Sequence, residues 1–267
     1  MRAPERNGIG IVLSGGGIRG VSHIGVLRAL TEHGIYPDRI AGASAGAIVG
    51  ALYAAGYGPP EMLEFFEKKN PFRLSNVAFT KPGFIDTDKI RADFEEYFPD
   101  NSFEALQREL RVLATDLTRG EPVEFNSGEL IPAVLASASY PMMFTPIEID
   151  GRIYADGGIV SNFPTELLEG RCGVLLGAHA GELLEMDRSD FSNSFAVLKR
   201  ALEVGMFRTS RAKYGTCHVV IRPPNIARFG IFETKHNDEI EACGYEAALE
   251  RMPEILRAVN ENTDGSR

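Results

Sequence analysis

Cysteine is scarce in this chain of 267 residues, which contains only Cys172, Cys217 and Cys243. The three stand far apart and form no CxxC pair. This spacing is typical neither of a disulfide framework nor of a zinc site, and it favours a reducing compartment.

Long apolar runs are also missing, because none approaches the ~20 residues that a bilayer-spanning helix needs. The first residues, MRAPERNGIGIVL, are charged before they become apolar. They lack the apolar core and the small-residue cleavage site of a signal peptide. From these absences we expect a cytoplasmic protein.

Positive charge is in deficit, with 28 Lys and Arg residues against 37 Asp and Glu residues and a formal net charge of −9. This balance argues against a nucleic-acid partner and against a generally membrane-binding surface. One predicted helix is an exception, since it concentrates basic residues. Two interpretations stay open for them, a solvated helix face or a contact with lipid headgroups. These residues are Lys199, Arg200, Arg208, Arg211 and Lys213.

Repeats, low-complexity tracts and linkers are absent, so we predict a single domain over 8–260, with flexible ends at 1–7 and 261–267. Strand-like and helix-like segments alternate along it. This order predicts an α/β domain with a mostly parallel sheet between helices. The predicted strands are Ile9–Leu13, Ile40–Gly42, Leu110–Ala114, Ile147–Ile149, Ile153–Ala155, Val174–Gly177 and Val219–Arg222. The predicted helices are Val21–His33, Ala45–Ala55, Glu61–Lys68, Thr87–Tyr97, Asn193–Lys213 and Asp238–Asn260.

The segment 59–100 is rich in aromatic residues and proline and has little strand character. We predict either a cap over the site or a plain helical excursion. Its phenylalanines either line a channel for an apolar ligand or belong to the core. They are Phe65, Phe66, Phe72, Phe79 and Phe84.

A GxSxG sequence lies between a predicted strand and a predicted helix, with Ser44 between Gly42 and Gly46. A nucleophile elbow needs small residues on both sides of the serine, because its turn is tight. A helix N-terminus there also favours developing negative charge. The alternative is a small-residue turn that packs a helix against a strand.

A glycine-rich loop, Gly15–Gly20, joins the first strand to the first helix. Such a nest of backbone amides suits an oxyanion. Arg19 either braces this loop through backbone carbonyls or attracts an anionic group. The loop also matches GxGxxG, with Asp38 as the acidic residue that follows, which leaves a dinucleotide-binding oxidoreductase as a rival. The rival is weaker because Asp38 precedes its strand and because the later motifs stay unexplained.

Asp156 precedes Gly157 and Gly158 at the end of a short predicted strand. Alone, Asp-Gly indicates a turn. A serine nucleophile nevertheless needs a base, and a hydrolase triad would continue with a histidine after the aspartate. None of the following histidines, His179, His218 and His236, sits in a recognisable loop motif. A Ser-Asp pair without histidine is chemically feasible if the two side chains touch in a dry site.

Taken together, these motifs resemble the patatin-like phospholipase family from about Gly8 to about Leu168. The glycine loop is similar to its oxyanion block, Gly42–Gly46 to its nucleophile block and Asp156–Gly158 to its aspartate block. The stretch from Ala136 to Pro146 resembles a further block of the family. The stretch from Ala114 to Leu117, with Gly120, is also similar to the family pattern. The part after Leu168 departs from the family pattern.

The resemblance implies a three-layer α/β/α fold and a Ser-Asp dyad that hydrolyses lipid or acyl esters, with transient contact to a membrane surface. Ser44 would attack the ester and Asp156 would accept its proton. The implied oxyanion and substrate-binding residues are Gly15, Gly16, Gly17, Arg19, Gly20 and Ala45. No metal or cofactor is implied. A non-catalytic lipid-binding module of the same fold is the remaining alternative.

Overall fold

The computed structural model describes residues 8–69, 87–233 and 235–264, and it contains eight strands in one sheet. The strands are β1 (Ile9–Leu13), β2 (Arg39–Ala43), β3 (Glu109–Asp116), β4 (Glu121–Phe125), β5 (Ile147–Ile149), β6 (Arg152–Asp156), β7 (Val174–Ala178) and β8 (Val219–Ile221). Their order is β5-β6-β3-β2-β1-β7-β8, with β4 paired to β3. β3, β2, β1, β7 and β8 are parallel, and β4, β5 and β6 pair antiparallel.

The α-helices of the described residues follow the same alternation. They are α1 (Ser22–Glu32), α2 (Ala45–Ala55), α3 (Pro59–Lys68), α4 (Thr87–Tyr97), α5 (Leu130–Ala138), α6 (Gly158–Ser161), α7 (Ser194–Ala212) and α8 (Asn237–Asp264). The last one runs into the range 261–267 that we predicted to be flexible.

Both faces of the parallel strands β1, β2 and β7 are buried, as their unbroken apolar runs require. Ile11 and Leu13 of β1 pack into the large core that α1, α2, α5 and α8 complete. Val12, between them, faces the opposite side and packs with Phe163 and Leu168. This alternation follows from the two-residue period of a strand. The fold is therefore a three-layer α/β/α sandwich with a mostly parallel sheet, and the fold prediction is confirmed.

Three elements escaped the sequence analysis: α5, β4 and α6, whose four residues are too few to show a helical period. α5 has Pro132 as its third residue, where the missing amide leaves no helical bond unmade, but the proline breaks the sequence pattern. β4 contains Pro122 and pairs only with β3, so it is an edge strand, the place where a sheet tolerates proline. α5 and β4 were missed because proline normally indicates the end of an element.

Phe65 and Phe66 are fully buried and belong to the large core, with the ring of Phe65 5.3 Å from that of Phe94. The core interpretation therefore holds for these two side chains. Phe72, Phe79 and Phe84 lie outside the described residues. The cap over 59–100 stays a prediction.

α1 and α8 cross at unusually close range through two glycines. A Cβ atom at Gly244 would lie 1.8 Å from the Ser22 carbonyl oxygen, and one at Gly25 would lie 2.0 Å from the Glu241 carbonyl oxygen. Only residues without a side chain permit this approach. The crossing holds α1, and with it the loop that precedes α1, against the C-terminal helix.

We predict that Gly244→Ala lowers the free energy of unfolding by about 1–3 kcal/mol, because the new methyl group forces the two helices apart. Gly205→Ala on α7 is the matched control, since no atom lies within 4 Å of a Cβ built there. It should instead raise stability by about 0.5–1 kcal/mol. Urea unfolding followed by circular dichroism measures both. Equal destabilisation by the two substitutions would contradict the close crossing.

Candidate active site

Ser44 lies between the end of β2 and the start of α2, with φ 54° and ψ −126°. Positive φ is strained for a residue with a side chain and is characteristic of a nucleophile elbow. The second glycine of the motif, Gly46, cannot carry a side chain, because a Cβ there would lie 2.1 Å from the Leu13 carbonyl oxygen. The small residues thus let α2 start directly beside β1.

Ser44 and Asp156 are in direct contact. The Ser44 hydroxyl donates to Asp156 Oδ2 at 2.6 Å, and the Gly158 amide donates to Asp156 Oδ1 at 2.7 Å. Asp156 is fully buried and Ser44 is 6% exposed. The two motifs that the sequence analysis singled out, 112 residues apart, therefore meet in one buried hydrogen bond.

Strand register explains why they meet. Ala43 pairs with Leu113 of β3, and Asp156 pairs with Ala114, the next residue along β3. β4 occupies the other edge of β3 from Val112 to Asp116. β6 must therefore pair with the same edge of β3 as β2, beyond the point where β2 ends. This places Asp156, the last residue of β6, beside Ser44, the residue that follows β2.

Burial raises the pKa of Asp156 to about 6, and the hydrogen bonds from Ser44 and Gly158 oppose this rise. Both hydrogen bonds favour the ionised form, whereas the lack of water disfavours it. At neutral pH the carboxylate is thus ionised and more basic than a free aspartate. This combination suits a general base.

The glycine loop follows β1 and lines the same cavity as Ser44. The Gly15 amide donates to the Asn162 carbonyl at 3.0 Å, and the Ile18 amide donates to the Ile231 carbonyl at 2.9 Å. Between them, the amides of Gly16 and Gly17 have no acceptor among the described residues. Gly17 has φ 59°, in the left-handed region, which occurs in turns whose successive amides can bind an anion.

The other predicted oxyanion residues occupy different places. The Arg19 side chain donates to the carbonyls of Phe229 at 2.7 Å and Ala227 at 3.1 Å, so it braces the loop, and it also lines the cavity. Burial lowers the pKa of Arg19. A Cβ at Gly20 would lie 2.5 Å from that of Ala45, so Gly20 provides close packing beneath the site. Ala45 supplies the first amide of α2.

Ser137 binds the backbone at Ser44 and beside Asp156, a role that the sequence analysis did not assign to it. Its hydroxyl accepts from the Ser44 amide at 2.9 Å and donates to the Leu113 carbonyl at 2.6 Å. Its carbonyl accepts from the Gly157 amide at 3.2 Å. The end of α5 therefore fixes the elbow and the aspartate loop together.

Asn162 was also missed. It is 8% exposed and lines the cavity, its carbonyl accepts from Gly15, and its amide nitrogen lies 3.5 Å from the Gly15 carbonyl. It therefore joins the glycine loop to the segment that follows Asp156. A polar residue six positions after the aspartate was the available signal.

None of the five histidines hydrogen-bonds to Ser44 or Asp156. His179 lines the cavity, but burial lowers its pKa to about 3, and its Nδ1 contacts the backbone of Gly181. His23 Nε2 contacts the Ser14 carbonyl at 2.8 Å, and burial lowers its pKa to about 4. Both imidazoles are neutral, buried groups.

The cavity measures about 80 Å³ and opens at the carboxyl ends of β1, β2 and β7. β1 lies between β2 and β7, which is the point where ligands of open α/β sheets bind. The wall of the cavity is largely apolar and includes Leu183, Met206, Phe207, Ile231 and Phe232. The carboxylates of Glu182 and Glu203 also line it.

Within the described ranges, no three His, Cys, Asp or Glu side chains are grouped so as to hold a metal ion. Nor does any helix in those ranges combine the length and the apolar character required to cross a bilayer.

Comparison with known proteins supports the resemblance. The model of the family described as patatin-like phospholipase matches residues 11–169, more than half of the chain. An uncharacterized NTE family protein of Mycobacterium tuberculosis is 34% identical over 168 residues, 61% of this chain and 46% of that protein. A lysophospholipase of Candida glabrata is 31% identical over 203 residues, 71% of this chain and 12% of that protein. The chain spans less than half the length of these relatives.

A solved structure is also similar. The crystal structure of VipD from Legionella pneumophila matches with a TM-score of 0.53 and 15% identity, over 97% of this chain and 68% of that one. At this identity the match is evidence for the fold alone.

We predict that Ser137→Ala lowers stability by about 1–3 kcal/mol, since it leaves the buried Ser44 amide and Leu113 carbonyl without their partner. Ser139→Ala is the matched control, because the Ser139 hydroxyl donates only to the Leu135 carbonyl one turn earlier. It should cost less than about 1 kcal/mol. Urea unfolding of both variants tests this. A larger loss for Ser139→Ala would contradict the role given to Ser137.

Proposed function

This chain belongs to the patatin-like phospholipase family, and we propose that it hydrolyses acyl esters of lipids with Ser44 as nucleophile and Asp156 as base. The observation that carries the proposal is the 2.6 Å hydrogen bond from Ser44 Oγ to Asp156 Oδ2 at a cavity. A nucleophile and a base in hydrogen-bond contact are the minimum that covalent acyl transfer needs.

In the first half-reaction, Ser44 Oγ attacks the ester carbonyl while its proton moves to Asp156 Oδ2. The tetrahedral intermediate collapses, the carbon–oxygen bond to the alcohol breaks, and Asp156 returns the proton to the leaving alkoxide. In the second, Asp156 takes a proton from water, the resulting hydroxide attacks the acyl-enzyme, and the proton returns to Ser44 Oγ. Fatty acid leaves, and both residues regain their starting state.

Negative charge develops on the carbonyl oxygen in both half-reactions. The amides of Gly16 and Gly17 have no described acceptor and line the cavity, so they are the donors we assign to the oxyanion, together with the Ala45 amide at the start of α2. Loss of one such donor typically costs ~3 kcal/mol of transition-state stabilisation. The Arg19 guanidinium already binds two backbone carbonyls, and we assign it a bracing role.

The substrate class follows from the cavity wall. Leu183, Met206 and Phe207 provide an apolar surface suited to an acyl chain. One relative bears the name lysophospholipase, which supports a lipid ester. We therefore propose phospholipids, lysophospholipids or neutral lipid esters as substrates.

The rival dinucleotide site has little support. Asp38 accepts a hydrogen bond from the Ile9 amide at 2.9 Å and precedes β2. It therefore lies at the amino ends of the strands, whereas the glycine loop follows the carboxyl end of β1. An acidic residue that binds a ribose would have to lie at the same edge as the loop.

A fluorophosphonate probe tests the nucleophile. We expect rapid labelling of the native chain, no labelling of Ser44→Ala, and labelling of Asp156→Asn slowed by about 10²–10⁴-fold, because the base is lost. In-gel fluorescence measures the rates, and circular dichroism checks the fold of each variant. Equal labelling of all three proteins would rule out the proposed dyad, and a purely non-catalytic module would show no Ser44-dependent turnover of a short-chain ester.

The raised pKa of Asp156 predicts the pH profile. Only the ionised carboxylate can accept the Ser44 proton, so kcat/KM for a soluble p-nitrophenyl ester should fall about tenfold per pH unit below pH ~6 and be level above it. Measurement between pH 4.5 and 8.5, with the fold checked at each pH, provides the profile. An inflection near pH 4, the ordinary range of an aspartate, would contradict the effect of burial.

A further inference from the structure

Exposed apolar side chains are concentrated in one short segment of the described chain. Of twelve large apolar side chains that are exposed, six lie between residues 184 and 204. Four of the six lie on α7, and we call these four the α7 surface: Phe195, Val197, Leu198 and Val204. A concentration of this kind on a protein surface marks a place of interaction.

The same segment forms part of the cavity wall. Glu203, Met206 and Phe207 of α7 line the cavity, as does Leu183 just before the segment. Residues 197, 201, 204 and 208 are exposed and follow at spacings of three and four along the other side of α7. One side of the helix therefore faces the candidate site, and the opposite side faces solvent with apolar residues.

α7 is attached to the rest of the fold near its C-terminal end. The Lys213 ammonium donates to the Ser161 hydroxyl at 2.5 Å and pairs with Glu166 at 2.7 Å. The Met206 side chain reaches Gly158, since a Cβ built there would lie 2.6 Å from its terminal methyl. The helix is thus anchored beside the Asp156 loop, and its N-terminal half is largely exposed.

The charge of α7 is opposite to that of the whole chain. The helix contains four basic residues and one acidic residue, whereas the chain has a formal net charge of −9. Lys199 and Arg200 lie 3.7 and 3.9 Å from Glu203, and Arg208 is exposed. Basic and apolar residues together on one exposed helix are typical of helices that lie in a lipid interface.

We propose that the α7 surface docks on an anionic lipid bilayer, so that α7 lies between the membrane and the cavity. The choice of a lipid partner rests on the proposed function, because an acyl chain could then pass from the bilayer along Met206 and Phe207 into the cavity. A second copy of the chain fits less well. A twofold dimer through α7 would bring two positively charged helices together.

Vesicle flotation tests the docking without catalysis. The full chain with Ser44→Ala is mixed with vesicles of phosphatidylcholine alone or with a quarter phosphatidylglycerol. We expect flotation with the anionic vesicles, weakened by 0.5 M salt. The added pair Val197→Gln and Leu198→Gln, two side chains outside the cavity wall, should reduce the partition coefficient about tenfold. The matched control is Leu249→Gln with Leu256→Gln on α8, whose side chains are both 37% exposed, and it should float like its parent.

Three results would overturn the docking proposal: equal flotation with neutral and anionic vesicles, unchanged flotation of the α7 variant, or an equal loss in the α8 control. Absence of flotation together with a dimer that the α7 variant dissociates would assign the surface to a second copy. Hydrolysis of a soluble p-nitrophenyl ester by the chain that retains Ser44 is scored separately. Flotation without hydrolysis would reject the proposed function alone, whereas hydrolysis without flotation would reject the docking alone.

Discussion

A buried carboxylate in contact with a serine hydroxyl is the interaction on which the rest of this site depends. Asp156 has no exposed surface, and its charge is supported by one hydroxyl and one amide. Isolation from water raises the pKa of Asp156, which makes the carboxylate a stronger base. The arrangement works only while Ser44 and Gly158 stay within hydrogen-bond distance, so the surrounding structure has to hold both loops still.

Holding this geometry reduces stability. Because the pKa of folded Asp156 lies above that of an unfolded aspartate, the unfolded chain loses its proton first, and stability falls as pH rises from about 4 to about 6. The positive φ of Ser44 adds strain. Ser137 offsets part of this by binding the Ser44 amide, and the close crossing of α1 and α8 supports the glycine loop from behind.

The sheet topology gives the site its direction. The loops after β1, β2 and β7 open at the same edge, and the antiparallel β6 brings Asp156 to that edge from the opposite direction. α7 then borders the opening. The helix that carries the α7 surface therefore also forms part of the wall of the candidate site, which is what the proposed docking requires.

Local backbone requirements made Ser44, Asp156 and the glycine loop recognisable from the sequence alone. A tight strand-to-helix turn needs glycine and alanine at particular positions, and these stand within five or six consecutive residues. The alternation of strands and helices could also be predicted from local patterns, except at α5 and β4, which contain proline. Only the tertiary structure decided that Asp156 contacts Ser44 without a histidine, since that contact depends on register along β3. It also decided the roles of Ser137 and Asn162 and the position of α7, because these contacts join segments far apart in the chain, and no local pattern records which segments will pack together.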